Sequence, residues 1–264
     1  MKFGITLLSI IPIRKEPDDR SEMTSQLLFG EHFKILNINN NWAFIEAYYD
    51  SHKGWIDKKM VAKIKPETYN ALDSDTPLVI NRNIVNLKLE DKSIQQVYAG
   101  STIPFFNKDS FRFSIESRHF EILEKLNTCG LKSIRKEISD TSLLYQNSPY
   151  LWGGRTPCGI DCSGFTQIVY KICGLKLPRN AAQQAGCGQA LKNLDKSQTG
   201  DLGFFTKMQS DEITHTGILL KDNKIIHASG KVRIDTIDEK GIFNEDINTY
   251  THRLVSIRKV INEQ

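Results

Sequence analysis

The 264-residue chain has no run of about 18 apolar residues, so no segment of it can form a membrane-crossing helix. It lacks a dense basic stripe. The 35 Lys and Arg are nearly balanced by 31 Asp and Glu, for a net charge of +4, which speaks against a nucleic-acid binder. It lacks a second close cysteine pair. The five cysteines, at 129, 158, 162, 173 and 187, are odd in number and absent from the first 128 residues. A disulfide framework would be even and denser, and a structural zinc site would need a second pair beside Cys158 and Cys162. Reduced thiols and no metal are expected. A signal-peptide cleavage site is also missing. In "MKFGITLLSIIPIR", Pro12 and Arg14 interrupt the apolar stretch and no small-residue site follows, so a first strand is the better reading. A cytoplasmic location follows as an expectation, or a periplasmic or secreted one if a longer precursor was trimmed.

What is present is the composition of an ordinary globular protein, 39% hydrophobic and 25% charged. Residues 1–64 read as short strands, "GITLLSIIPI", "HFKILNINN", "WAFIEAYYD" and "KGWIDKKMV", with a long polar loop after the first. This pattern predicts a small SH3-like barrel. Residues 65–76 read as a linker or short helical turn. Residues 77–126 are again β-rich, and "AGSTIPFF" loosely echoes "FGEHFKIL", hinting at a second barrel. From residue 127 the pattern changes. Leu131, Ile134, Ile138 and Leu143 or Leu144 have helical spacing, then comes the loop "SPYLWGGRTPCGI". In "DCSGFTQIVYKICGLKLP", Phe165, Ile168, Val169 and Ile172 form one apolar face, and Gly174 and Pro178 end the helix. The remainder reads as strands, making 127–264 an α+β domain.

Asp161 is a good N-cap, and Cys162 then opens the helix. A thiol at that end is expected to have its pKa lowered. Cys173 continues the apolar face and reads as core. A nucleophilic thiol needs a base, and the base needs an orienting partner. Of six histidines, His215 in "THTGILL" and His227 in "KIIHASG" lie on two strands of one hairpin. A two-residue turn at Asp222 and Asn223 would set His227 opposite Ile218 and turn His215 to the other face. A three-residue loop, Lys221 to Asn223, sets His227 opposite Gly217 and both histidines on one face. A catalytic set requires the second register. Either histidine alone reads as an ordinary surface or core residue.

"PYLWGGRTPCGIDCSGFTQIVY", "LPRNAAQQ", "GDLGFF", "HTGILL" and "IIHASG", in this order, resemble the NlpC-type cell-wall peptidases. The resemblance implies a papain-like fold over 127–264 and hydrolysis of γ-D-glutamyl–diamino acid bonds in murein stem peptides. It implies Cys162 as nucleophile, His215 as base, His227 as its orienting partner and Tyr150 at the substrate carbonyl. The N-terminal half resembles a subgroup with two SH3-like domains, in which the first restricts substrates to those with a free N-terminal L-alanine. Asp161 and Ser163 match positions that bind this amine. Glu22 is the candidate acid from the first SH3-like domain, with a solvated loop carboxylate as the alternative, and Trp55 a candidate aromatic wall. Arg179, counted among the substrate-binding positions, is followed by Asn180 and Ala181 where many relatives read "PRDS". That departure bears on substrate contacts and not on the Cys–His chemistry. Asp201 matches the family but reads as a turn residue.

The expectation is an α+β cysteine endopeptidase: a papain-like domain behind two all-β SH3-like barrels. It would act as a monomer on small murein peptides, without cofactor, nucleic acid or membrane. The alternatives are a wall-peptide binding module that has lost catalysis, and an amidase or acyltransferase on the same fold.

Overall fold

The computed structural model describes residues 2–125, 133–208 and 210–261. The chain divides into two compact units, 1–128 and 129–264.

The N-terminal unit is built on a seven-stranded antiparallel sheet. Its strand order is Met23–Leu28, Ile10–Arg14, Lys53–Asp57, Trp42–Ala47, His32–Asn39, Phe3–Ile5, Ala62–Lys63. The sequence alternation explains the pairing. In "WAFIEA", Ala43, Ile45 and Ala47 are buried and the residues between them are half-exposed, as a period of two requires. These side chains meet Ile11, Ile13, Leu27, Phe33 and Ile56 in one core. The polar loop is shorter than expected, because "MTSQLL" is itself a strand.

The second β-region has fewer strands than the first. It forms a four-stranded sheet of Ile94–Tyr98, Ile84–Lys88, Arg118–Ile122 and Arg112–Ile115, plus a ribbon of Leu78–Val79 and Thr102–Ile103. The boundary expected near residue 64 falls inside one packed body. Ile5, Phe29 and Ile64 share a core with Val85, Val97, Phe113 and Phe120. Of the two expectations for residues 65–76, a linker or a short helical turn, the helical one holds: Pro66–Ser74 is a helix opened by proline in its first turn. It buries Tyr69 and Leu72, and Tyr69 stacks on Phe3 at 4.2 Å.

In the C-terminal unit, helix Ile134–Leu143 starts at Ser133, whose hydroxyl accepts the Lys136 N–H. Leu131, the first residue of the expected helical pattern, and Cys129 lie outside the described residues. Helix Cys162–Ile172 has Asp161 as its N-cap. Phe165, Ile168 and Val169 are fully buried, while Ile172 is only half-buried. Each fully buried side chain contributes about 1.5–3 kcal/mol relative to exposure. Gly174 takes φ +77°, and the Leu175 N–H closes back on the Tyr170 carbonyl at 2.8 Å, ending the helix. Cys173 is half-buried rather than core and faces the Thr141 hydroxyl at 3.7 Å.

Strands Leu202–Lys207, His215–Leu219, Lys224–Ser229, Lys231–Asp238, Gly241–Asn244 and Thr249–Lys259 pair in sequence. The last also pairs with the first, so the sheet closes into a barrel. The registers put Phe205, His215, Gly217, His227, Arg233, Asp235, Ile242 and His252 on one face. That face is the barrel interior, since Phe205, Leu219, Ile225, Ile237, Ile242 and Ile257 form its core. The other face carries Phe204, Ile218 and Ile226, fully buried. There the Cys162–Ile172 helix packs on the His215–Leu219 and Lys224–Ser229 strands.

Candidate active site

The hairpin carrying the two histidines has the register a catalytic set requires: His227 lies opposite Gly217. Its loop is the three residues Lys221 to Asn223, with Asp222 and Asn223 at φ +58° and +52°, and the Leu220 N–H bonds to the Lys224 carbonyl at 2.8 Å. His215 therefore falls on the face of His227. The two rings meet, Nε2 of His215 lying 2.8 Å from Nδ1 of His227. Gly217 makes room for this. A Cβ there would fall 2.8 Å from the Cβ of His227.

Cys162 opens the helix and is 7% exposed. Its thiol lies 3.7 Å from the Thr214 carbonyl, and the Thr216 backbone N–H also faces it. The sulfur thus touches the residues on both sides of His215. The helix start does not lower its pKa as expected. Burial first, and the Asp161 charge second, push the thiol up to about 12, against the weaker pull of the Thr216 and Ser163 N–H groups and Arg179. His215 is held well below the ordinary histidine value by burial, then by His227 and His252. At rest the thiol keeps its proton, and His215, between Thr214 and Thr216 in the chain, resists taking one.

Asp161 and Arg179 make a buried bidentate pair, Nη2–Oδ2 2.6 Å and Nη1–Oδ1 3.0 Å, and Arg179 Nη1 also donates to the Ser163 hydroxyl at 3.0 Å. Asp161 further accepts the Gly153 and Gly164 N–H groups. The predicted trio Asp161, Ser163 and Arg179 is thus brought together, with its charges paired internally. Gln184, which sequence reasoning missed, donates to the Ser163 and Pro178 carbonyls and accepts from Thr166.

Tyr150 is half-buried. Burial, then the charges of Cys162 and Asp161, push its phenol up to about 12, so it is a hydrogen-bond donor at neutral pH. Asp201 holds Arg135 at 3.0 Å and caps the turn at Gln198. Glu22 and Trp55 belong to the N-terminal unit. Glu22 is exposed, 3.9 Å from Lys15, and Trp55 packs on Phe44 at 5.1 Å.

Three more residues sit at this end of the barrel. His252 stacks on His215, ring centres 4.1 Å apart. Asp235 Oδ2 lies 2.9 Å from His227 Nε2. Arg233 donates twice to the other Asp235 oxygen, at 3.0 and 2.8 Å. Strand alternation places Arg233 and Asp235 on one face, which was the available signal. Their register against His227 is set by the turn at Gly230, φ +70°, which no motif announces.

Residues 147–250 match the NlpC/P60 family, and residues 13–60 match the bacterial dipeptidyl-peptidase Sh3 domain. The gamma-D-glutamyl-L-lysine dipeptidyl-peptidase of Bacillus subtilis (strain 168) is 26% identical over 256 residues, covering 90% of this chain and 81% of the relative. Dipeptidyl-peptidase 6 of Lysinibacillus sphaericus is 25% identical over 93% of this chain and 96% of its own. An NlpC/P60 family protein from Bacillus cereus ATCC 10987 has the same fold, with a TM-score of 0.81 at 17% identity, over 98% of this chain and all of that one. The chain is thus similar to proteins in which a bacterial SH3 domain precedes an NlpC/P60 domain, with residues 13–60 matching the first and residues 147–250 the second.

Proposed function

We propose that the protein is a cysteine peptidase that cuts the γ-D-glutamyl–diamino acid bond of murein stem peptides bearing a free N-terminal L-alanine. The observation that carries the reading is the Cys162 thiol lodged between Thr214 and Thr216, the chain neighbours of His215, whose Nε2 is bonded to His227. The names of the full-length relatives support the bond and the mode of release. A dipeptidyl-peptidase counts two residues from the amino end, so it must sense a free amine.

The mechanism follows from the resting protonation of Cys162 and His215. His215 takes the thiol proton as sulfur attacks the γ-glutamyl carbonyl, so deprotonation and attack are coupled. The Cys162 N–H and the Tyr150 hydroxyl donate to the developing oxyanion. The His215 imidazolium then protonates the leaving amine, and a thioester remains. Water, deprotonated by His215, hydrolyses it and restores the thiol. The Asp161–Arg179 pair shapes the pocket beside Cys162, and of its two charges that of Asp161 acts more strongly on the thiol.

The test is a paired assay on L-Ala-γ-D-Glu-diaminopimelate and L-Ala-γ-D-Glu-L-Lys, each free and N-acetylated, with Cys162→Ala as control. The expected result is cleavage of at least one free tripeptide and at least 100-fold slower cleavage once acetylated, in line with loss of a charged hydrogen-bonded contact. Equal rates would refute the free-amine requirement. No cleavage of any peptide would refute the peptidase reading and leave a binding module.

A further inference from the structure

The protons of the buried chain His215–His227–Asp235 can be placed by counting donors and acceptors. Asp235 lies on strand Lys231–Asp238, its side chain 3% exposed. One of its oxygens accepts two N–H groups of Arg233, which also holds Asn244 and Asp246. Burial alone would raise this carboxyl, but its bonds to His227 and Arg233 together hold it below the ordinary value. Asp235 is therefore an ionised acceptor. Across 2.9 Å, His227 can only donate to it, from Nε2. A neutral His227 is then bare at Nδ1 and can only accept. The 2.8 Å contact requires His215 to donate from Nε2. A neutral His215 is then bare at Nδ1, the nitrogen a proton from the thiol needs.

We propose that Asp235 is a positioning residue that fixes the tautomers of His227 and His215, and so leaves His215 Nδ1 bare as the base for Cys162. This rests on the peptidase reading for its chemistry, though the proton count stands without it. His252 complements the device by stacking on His215 and holding the ring plane. The other charged groups at this end are Lys207, opposite His252 in register, and Asp246, beyond Arg233. Neither displaces Asp235 as the acceptor for His227 Nε2 among the described contacts. When His215 accepts the thiol proton it becomes an imidazolium. Its Nε2–H keeps the same bond to His227, so no other proton in the chain has to move.

Substituting Asp235→Asn keeps the shape but lets the amide donate to His227 Nε2. Both tautomers then reverse, and His215 presents Nδ1–H to the thiol. The test combines two measurements on the full chain. Nitrogen-15 imidazole NMR at pH 7.5, without substrate, should show His215 and His227 each protonated at Nε2 in the wild type, and the reverse in Asp235→Asn. On the free tripeptide, Asp235→Asn should lower kcat by about 10²–10⁴-fold with KM within about threefold, and Asp235→Glu should recover at least about tenfold of that loss. A wild-type His215 protonated at Nδ1, a His227 imidazolium at that pH, or a folded Asp235→Asn within about threefold of wild-type kcat would overturn the proposal. If no peptide is cleaved by the wild type, the peptidase reading fails and the spectra alone decide. If Asp235→Asn does not fold, the wild-type spectrum decides.

Discussion

Two buried polar networks flank the sequence around Cys162, and their shapes differ. Asp161, Ser163 and Arg179 form a closed knot. Both Asp161 oxygens accept an Arg179 N–H and a backbone N–H. The second network is a line: Arg233, Asp235, His227, His215. Arg233 donates twice to one Asp235 oxygen, the other two links each use one donor and one acceptor, and the line ends on a ring nitrogen. A closed knot of full charges is a frame, whose members lose most when one is removed. A line of rings anchored on one carboxylate can pass the effect of that carboxylate to its far end. The first network therefore should be read out in stability and the second in rate.

The largest effect expected from this contrast is on the knot. Arg179 is 2% exposed, and Arg179→Met would strand the Asp161 carboxylate beside the helix start. Removing one partner of a buried pair costs about 3–5 kcal/mol. Urea unfolding should show that loss. Asp235→Asn should lose far less, because Arg233 keeps Asp246 as a partner. Equal losses in the two variants would erase the distinction between frame and relay.

The next effect belongs to the line and appears with pH. Burial, then His227, depress His252 to about 4, while Asp235 pulls the other way; His215 is depressed in the same direction. Above pH about 6.5 these histidines are neutral in both folded and unfolded chains, and pH has no leverage through them. As pH falls from about 6.5 towards 4, the unfolded chain takes up protons that the folded one refuses. Stability must fall across that window, by up to about 3 kcal/mol for His252 alone. His252→Phe keeps a ring against His215 but removes the proton site. Unfolding midpoints at pH 7.5, 5.5 and 4.5 should fall less steeply in this variant, and a slope as steep as wild type would take His252 out of the account.

The same contrast explains what could be read from the sequence. The knot is local: Asp161, Cys162 and Ser163 are consecutive, and capping chemistry predicts their place without tertiary information. The hairpin carrying His215 and His227 was also legible, but its sequence allows both a two-residue and a three-residue loop, and only the catalytic requirement selects the register observed. Asp235 and His252 were not. Each reaches the site through strand pairings across a closed barrel, and the turn at Gly230 and the bulge between Ile242 and Phe243 set registers that no local pattern encodes. The depressed thiol pKa expected of Cys162 failed for a related reason. A helix start acts locally, whereas burial depends on everything packed around it. In the N-terminal unit the strands were legible by alternation. The shared core joining Phe29 to Phe113 and Phe120 depends on distant segments meeting, and so did not show.

The smallest effect sharpens the contrast by touching the line without removing any hydrogen-bonding group. Gly217 has no polar role, yet a Cβ there would lie 2.8 Å from the Cβ of His227 and 2.8 Å from Cδ1 of Ile225. The isoleucine tip can turn aside, but the His227 Cβ is fixed by its strand. Gly217→Ala should therefore push His227 by a few tenths of an ångström and stretch its bonds to His215 and Asp235. Crowding of this kind costs about 1–3 kcal/mol. Misplacement of catalytic groups by a full ångström costs about 100-fold, so a roughly threefold to tenfold drop in kcat is expected, with KM unchanged. A knot residue of similar size should behave the other way. Gly164→Ala would drive a Cβ to 2.3 Å from the Gly154 carbonyl, which is backbone and has no rotamer to adopt, so its loss should appear in the unfolding midpoint first. If Gly217→Ala lost stability but not rate, the histidine line would be packing, and its alignment would not limit the reaction.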